Sequence, residues 1–353
     1  MKKTVANNLR TLYEKYGYLP YKMSKFEEYD LYARNKEFLD GARIVTFNDT
    51  DGKLLALKPD ITLSIVKNDQ ESEEKRKVYY NETVYRVKDE SGFKELLQTG
   101  LECIGEIDLY DEYETLYLAA ASLQKISEDF VLDISHRELV TSLLSGLCKD
   151  ENFSRLAMGL IAEKNTHGIL SLCESYGVNG EKLATLVNVY GTPDKTLASL
   201  EKFCENEEMK RAYKKLEILC SLLKNTEFSE RIRLDFSVVG SGNYYDGIVF
   251  NGFIDGIGET VLSGGRYDRL LSRMGKKSGA IGFAVYLDLL ERLDKKRKTE
   301  DVDVVVLYDD SLSLDALTKK VKELVDQGNT VSAQKKIGFL RAKRIVDLRG
   351  GGK

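Results

Sequence analysis

The hydrophobic pattern of the chain changes twice, and these changes constrain its fold more than any other feature. In the first part of the chain apolar and polar residues alternate, and 78–88 and 93–107 predict two strands joined by a polar loop. Residues 137–228 have a helical pattern almost throughout, and alternation then returns. A mostly antiparallel sheet interrupted by helices predicts an α+β fold, in which a core of residues 1–293 carries a helical insertion at 137–228.

Three shorter segments add detail to this core. Residues 4–16 predict a helix with one apolar face, formed by Val5, Leu9, Leu12, Tyr13 and Tyr16. Residues 42–60 predict a hairpin around the Asp51–Gly52 pair, which is typical of tight turns. The charge run DQESEEKRK at 69–77 predicts a solvated loop or helix end.

A charged linker at 294–301 separates the core from a short α/β unit at 302–353. The unit combines a buried-type strand, VDVVVLY, with a helix that ends before Gly328. The apolar stripe of that helix consists of Leu314, Leu317, Val321, Leu324 and Val325. So small a unit is expected to pack on the core or on a partner. The basic segment 333–344 is interpreted as a solvated face rather than a nucleic-acid site.

Composition narrows the possible functions. The formal net charge of -4 gives no general attraction to nucleic acid. No apolar run approaches the ~20 residues of a membrane span, and the first residues lack the apolar stretch of a signal peptide. We therefore expect a cytoplasmic protein. The five cysteines lack metal-ligand spacing and the chain has only two histidines, so neither a metal site nor a cofactor is predicted.

The segment 235–271 contains two motifs, NYYDGIVF and VLSGGRYDRLL. By its pattern it is a hairpin of aromatic and β-branched residues, whose glycine pair lets the backbone approach another group closely. A packed hairpin with a glycine-rich bulge would explain it equally well. However, both motifs resemble the paired histidine-recognition motifs of histidyl-tRNA synthetases and their paralogues. The resemblance implies that Tyr244, Tyr245 and Tyr267 line a histidine pocket in which Gly264 and Gly265 provide clearance.

Four further segments resemble this family in the same order, so that the resemblance covers residues 1–293. YGYLPYKMSKFEE (16–28) is similar to the first class II synthetase motif, at the dimer interface, with Ser24 where proline is usual. VYRVKDESGFKELLQTGLECIGE (84–106) and AIGFAVYLDLLERL (280–293) are similar to the second and third motifs. LKPDIT (57–62) is similar to the segment that holds the amino group of the ligand. A class II aminoacyl-tRNA synthetase-like core is therefore implied.

By the same resemblance, Asp60, Thr62, Gln98 and Glu102 occupy positions that contact histidine, and Arg86 is the arginine of the second motif. The residue types suit a free amino acid. An ammonium group needs a carboxylate and oxygen acceptors, while an imidazole needs an acceptor and an aromatic wall. Taken singly, each acidic residue could equally belong to a surface salt bridge.

The chain departs from the synthetases where they bind the nucleotide. Adenylation of histidine develops negative charge on a phosphate, which needs cations held in place. The arginine expected four residues before the tyrosine pair is Gly240, and 236–250 contains no basic residue. In the third motif, Tyr286 replaces a glycine and Leu289 an arginine. We therefore expect no catalytic residue and no synthetase activity, even though Arg86 remains.

Other departures favour a paralogue. The loop DESG at 89–92 is acidic, and LKPDIT and LDISHRELV (132–140) resemble the paralogues that serve as regulatory subunits of ATP phosphoribosyltransferase. The C-terminal unit is about half the length of an anticodon-binding domain, so no tRNA binding is expected. The resemblance implies a self-dimer and a hetero-octamer with a short-form catalytic subunit, inhibited by histidine in the first step of histidine biosynthesis. A free-standing amino-acid sensor and an active synthetase are the alternatives.

Overall fold

The computed structural model describes residues 2–39, 43–69, 74–87, 92–240, 244–293 and 300–350. The chain divides into two compact units, residues 1–293 and 294–353. Several predicted features fall partly outside the described residues, namely 70–73 of the charge run, 89–91 of the acidic loop, 241–243 beside the tyrosine pair, and 294–299 of the linker.

A nine-stranded sheet organises the first unit. The strands of this unit are β1 (Leu19–Pro20), β2 (Phe26–Glu28), β3 (Thr46–Asn48), β4 (Leu54–Leu57), β5 (Arg76–Val87), β6 (Phe93–Gly105), β7 (Phe130–His136), β8 (Tyr190–Gly191), β9 (Ile232–Asp235), β10 (Ile248–Ile254), β11 (Leu262–Arg266) and β12 (Gly279–Tyr286). The large sheet has the order β1-β5-β6-β12-β11-β10-β7-β9-β8, while β2, β4 and β3 form a small separate sheet. Among the described strands of this first unit, only the pairs β1–β5 and β7–β9 are parallel. The predicted α+β fold with a mostly antiparallel sheet is confirmed.

The helices of the first unit are α1 (Lys2–Lys15), α2 (Tyr29–Arg34), α3 (Thr62–Asn68), α4 (Leu109–Gln124), α5 (Arg137–Leu147), α6 (Glu151–Ala162), α7 (Thr166–Ser175), α8 (Glu181–Val187), α9 (Pro193–Leu200), α10 (Glu207–Lys224) and α11 (Asp268–Arg273). Helix α4 begins at a capping box formed by Asp108 and Asp111 and packs against β10 and β12. Alternate residues of the sheet, such as Leu101 and Ile281, join this buried core. The residues between them face the opposite side, where Gln98 and Glu102 lie beside a second apolar cluster that includes Ile104 and Ala280. In the described part of the chain, no helix is both long and apolar enough to cross a membrane.

Helices α5 to α10 form the block between β7 and β9, as the sequence predicts. Their core consists of apolar residues such as Phe153, Ile169 and Leu216, which are fully buried. The block also contributes a strand that the sequence did not predict. Tyr190 and Gly191 form β8, which pairs with β9 at the edge of the large sheet. The block is thus joined to the sheet by backbone hydrogen bonds as well as by side-chain packing.

The charge run was predicted as a solvated loop or helix end, and this is wrong for its last two residues. Strand β5 begins at Arg76 and so includes the last two residues of the run, Arg76 and Lys77. Each of these side chains pairs with a carboxylate beside the sheet. Arg76 Nη1 lies 3.1 Å from Asp69 Oδ1, and Lys77 Nζ lies 2.5 Å from Glu114 Oε1. Charged residues can therefore continue a strand where the neighbouring elements supply partners.

The second unit contains β13 (Val302–Leu307), α12 (Leu314–Asp326), β14 (Val331–Gln334) and β15 (Ala342–Asp347). Its three strands form a parallel sheet in the order β14-β13-β15. The unit's core consists of Val304 and Val306 packed on Leu317 and Leu324, with Val321 partly buried against them. Two residues of the predicted stripe lie outside it. Leu314 is 74% exposed and Val325 51% exposed, because they flank the face that meets the sheet.

Candidate functional site

A cavity of about 500 Å³ opens on the face of the large sheet that carries Gln98 and Glu102. This volume is typical of small-molecule sites. We call the lining residues Asp60, Thr62, Gln98, Glu102 and Tyr267 the acidic end of the cavity. Gln98 adjoins the second set named below, because it pairs with Tyr286 in the sheet. The neutral end is lined by Ser237, Asn251, Thr260, Ser263 and Tyr286. These two names are used below for the two residue sets.

Asp60 enters the cavity from the loop between β4 and α3. Its Oδ1 accepts a hydrogen bond from the Leu63 backbone nitrogen at 2.9 Å, which fixes the carboxylate at the start of α3. Burial raises the pKa of Asp60, and the nearby Arg86 opposes that rise. Arg86 Nη2 lies 3.7 Å from Asp60 Oδ2, while its Nε donates to the Pro59 carbonyl at 2.8 Å. The guanidinium is thus held against the carboxylate.

Glu102, on β6, is the most deeply enclosed acid of the cavity and is 2% exposed. It accepts hydrogen bonds from the Tyr267 hydroxyl at 2.5 Å and from Thr62 Oγ1 at 2.9 Å. Burial raises the pKa of Glu102 to about 8, although these two bonds act in the opposite direction. A ligand that donates a hydrogen bond or carries positive charge would stabilise the ionised carboxylate. Glu102 is therefore suited to hold such a group.

Gln98 lies on the same face of β6 as Glu102, because side chains four residues apart on a strand point the same way. Gly282 on β12 stands opposite Glu102 in the sheet. A Cβ atom at Gly282 would lie 1.7 Å from Glu102 Oε2, so only glycine leaves room for the carboxylate. Sequence reasoning missed Gly282. The signal that would have found it is the register of β12 against β6.

Three tyrosines form the aromatic wall that the sequence predicts. The ring of Tyr244 lies 4.8 Å from that of Tyr245 and 5.5 Å from that of Tyr267, measured between centroids. Gly265 lies behind the wall, where a Cβ would be 2.7 Å from Tyr245 Cδ1. Gly264 lies on the opposite face, where a Cβ would meet core side chains at 2.5 Å. Of the two glycines, Gly265 is therefore the one that makes room for a cavity side chain.

Of the two positions where the family's arginines were expected, Gly240 lines the cavity and Leu289 is not among its described lining residues. Gly240 has φ +70°, and a Cβ there would lie 2.4 Å from Tyr245 Cδ2. Tyr286 lines the cavity and its hydroxyl lies 2.6 Å from Ser263 Oγ, within hydrogen-bonding distance. Leu289 instead packs against the core. Arg86 is the one cationic side chain among the described lining residues, and it belongs to the acidic end.

Several other lining residues were not predicted from the sequence. Ser237, Asn251 and Thr260 belong to no motif that we identified, yet they line the neutral end. Ala162, at the end of α6, shows that the helical block reaches the cavity. Within the described ranges, no group of three or more His, Cys, Asp and Glu residues could hold a metal ion. The volume of the cavity and its mixture of polar and aromatic lining residues suit a small organic molecule.

Comparison with known proteins agrees with this geometry. The family model for histidyl-tRNA synthetase matches residues 1–290. The chain belongs to the histidyl-tRNA synthetase family. Among curated relatives, the ATP phosphoribosyltransferase regulatory subunit of Alkaliphilus metalliredigens is 28% identical over 312 residues, which cover 85% of this chain and 79% of the relative. The match to this family therefore spans the whole sheet, the helical block and the cavity.

Solved structures of the family show the same fold. The ATP phosphoribosyltransferase regulatory subunit/histidyl-tRNA synthetase of Bacillus halodurans matches with a TM-score of 0.83 and 23% identity, over 99% of this chain and 94% of that chain. A chain of the ATP phosphoribosyl transferase complex of Thermotoga maritima matches with a TM-score of 0.65 and 18% identity, over 81% and 97%. The class II synthetase-like fold is thus established for this member of the family.

Proposed function

We propose that this chain is the non-catalytic regulatory subunit of an ATP phosphoribosyltransferase and that it binds histidine in the cavity. One observation carries the proposal: the acidic end keeps the groups that an amino acid needs, while the neutral end has no cation for a nucleotide. The relative from Alkaliphilus metalliredigens is named as an ATP phosphoribosyltransferase regulatory subunit, which supports this role. A biosynthetic role of this kind places the protein in the cytoplasm.

The acidic end suits histidine group by group. The ammonium fits beside Asp60, Thr62 and Gln98, which supply a carboxylate and neutral oxygens. The imidazole fits against Tyr267 and Glu102, where one ring nitrogen donates to the carboxylate. Tyr244, Tyr245 and Gly265 complete the histidine site by forming or supporting the aromatic wall. No residue in this set is assigned a catalytic role.

The neutral end argues against adenylation. A phosphoryl transition state needs preorganised cations, and loss of a single stabilising group commonly costs two to three orders of magnitude in rate. Gly240 cannot simply be exchanged for arginine, since its φ is +70° and the ring of Tyr245 fills the space. Tyr286 occupies further space at this end. Synthetase activity is therefore expected to be lost, and with it any need to bind tRNA.

The partner that we propose is a short-form ATP phosphoribosyltransferase catalytic subunit. The fold match to a chain of the Thermotoga maritima complex supports such an assembly. We expect a self-dimer through the core and a hetero-octamer with the catalytic subunit. Histidine bound in the cavity would favour the less active arrangement of the complex, and substrates would weaken histidine binding by the same factor.

The test is the turnover of ATP and phosphoribosyl pyrophosphate by a short-form catalytic subunit, measured with and without this chain and then with histidine. We expect the chain to raise turnover and histidine to lower it. Asp60→Ala should still activate the catalytic subunit but lose the response to histidine. A chain that binds histidine without changing turnover would instead be a sensor with another partner.

A further inference from the structure

Helix α5, the first helix of the helical block, begins with a buried arginine. Arg137 is 5% exposed, although arginine is rarely enclosed so fully in a protein. Burial lowers the pKa of Arg137 to about 10, so the side chain is still charged at neutral pH. Moving a charge out of water costs free energy unless the charge finds hydrogen-bond partners. The contacts of this guanidinium therefore indicate its role.

Arg137 contacts both ends of the connection between β9 and β10. Its Nη1 donates a hydrogen bond to the Val239 carbonyl, near the start of the connection. Its backbone nitrogen donates to the Gly247 carbonyl at 2.9 Å, at the last residue before β10. We call the described residues of this connection, 236–240 and 244–247, the tyrosine loop. One residue at the start of the helical block thus holds both ends of the tyrosine loop.

The tyrosine loop supplies part of the cavity wall. Tyr244 and Tyr245 belong to the aromatic wall, and Val238, Val239 and Gly240 also line the cavity. The carbonyl that Arg137 holds is therefore part of the lining backbone. It lies one residue before Gly240, whose φ of +70° turns the chain toward the tyrosine pair. A shift of this carbonyl would change the position of the wall.

The other side of the tyrosine loop is held by β11 and α11. The Asp246 backbone nitrogen donates to the Arg266 carbonyl at 3.0 Å. The Asp246 carboxylate accepts hydrogen bonds from the backbone nitrogens of Asp268, at 3.3 Å, and Arg269. The loop is thus fixed between the sheet on one side and the first residue of the helical block on the other.

We propose that Arg137 is a positioning residue that fixes the aromatic wall of the cavity and links occupancy of the cavity to helix α5. This inference rests on the proposed histidine site and deepens it, because it names a residue through which the helical block and the site affect each other. A ligand that stabilises the tyrosine loop also stabilises its contacts with α5. By linkage, a change at α5 alters the affinity for the ligand by the same factor.

Calorimetric titration of the full chain with L-histidine at pH 7.0 tests the positioning role. Arg137→Met replaces the guanidinium by an uncharged side chain of similar length. We expect histidine to bind about ten-fold or more weakly, an effect comparable to the loss of one hydrogen bond to a charged group. Arg137→Lys keeps a charged donor and should restore most of the affinity. Arg233→Met is the matched control, since Arg233 also donates to backbone carbonyls, those of Glu230 and Ile232, outside the tyrosine loop.

Hydrogen–deuterium exchange distinguishes positioning from a purely structural role. In the parent, saturating histidine should slow amide exchange both in the tyrosine loop and at the start of α5. In Arg137→Met, the tyrosine loop should exchange faster and histidine should no longer affect α5. Circular dichroism checks that the variants fold.

The inference is wrong, while the histidine site stands, if Arg137→Met binds histidine as tightly as the parent and its tyrosine loop exchanges at the same rate. If the parent does not bind histidine, the proposed histidine site fails, and the exchange rate of the loop in the variant still shows whether Arg137 holds it. If Arg137→Met does not fold, the parent decides. Exchange at α5 that is unchanged by bound histidine would then overturn the link.

Discussion

The two ends of the cavity lie on one sheet but differ in what they can hold. At the acidic end, the buried Glu102 carboxylate receives hydrogen bonds from Tyr267 and Thr62, and Asp60 is fixed at the start of α3. At the neutral end, Ser263 and Tyr286 lie within hydrogen-bonding distance, and the described residues of its lining include no cationic side chain. In the function that we propose, recognition of an amino acid and stabilisation of a phosphate depend on different residues. Such a chain could lose the second ability while its sheet and the first remain intact.

The largest expected effect comes from the acidic end. Glu102→Ala removes the acceptor for the imidazole and leaves the Tyr267 and Thr62 hydroxyls without it. Hydrogen bonds to charged groups contribute about 1.5–3 kcal/mol, so histidine should bind on the order of 100-fold more weakly. Calorimetric titration measures this, with Ser263→Ala at the neutral end as the matched control. If both variants lose the same affinity for histidine, the two ends do not differ in their contribution to histidine binding.

Much of the acidic end could be predicted because its residues fall in contiguous motifs. Asp60 and Thr62 share one segment, Gln98 and Glu102 share one strand, and the spacing within a strand fixes which side chains point the same way. The helical block was equally predictable, since its pattern differs so clearly from that of the flanking strands. Local sequence is therefore sufficient to predict the helical block and the residues of the acidic end.

A moderate effect is expected from restoring the arginine at the neutral end. Gly240→Arg places a side chain where φ is +70° and where a Cβ would lie 2.4 Å from the Tyr245 ring. We expect the free energy of unfolding to fall by about 1–3 kcal/mol, without gain of ATP binding. Urea denaturation and nucleotide titration measure the two quantities. If the variant is as stable as the parent and binds ATP, the residue at position 240 alone decides whether the neutral end can bind a nucleotide.

The remaining features could not be predicted because they depend on register and on distant partners. Gly282 matters only because β12 places it opposite Glu102. Arg76 and Lys77 continue β5 with Asp69 and Glu114 beside them. Glu114 lies outside the charge run, and the run alone does not show that Arg76 meets Asp69 at its other end. Contacts of this kind depend on how the strands pair, which local sequence does not show.

The smallest effect concerns pH. Burial raises the pKa of Glu102 to about 8 from the usual 4.5 of a glutamate side chain. The folded chain therefore keeps this proton between about pH 4.5 and 8, where the unfolded chain has released it, so the free energy of unfolding falls as pH rises through that window.

The Glu102→Gln variant has no titrating proton at this position. Its free energy of unfolding should therefore fall less steeply with rising pH than that of the parent. Asp133 and Asp246, whose pKa values are also raised by burial, would continue to contribute in both proteins. Thermal unfolding at intervals from pH 5 to pH 8.5 measures the difference. Parallel curves for the parent and the variant would contradict the assignment of a raised pKa to Glu102.

The contrast between the two ends is tested most directly by ATP–pyrophosphate exchange with the purified chain at a saturating concentration of histidine. We predict no exchange above background, because the described lining residues of the neutral end include no cation for the phosphates. Exchange that depends on histidine would contradict it and would identify the chain as a working synthetase.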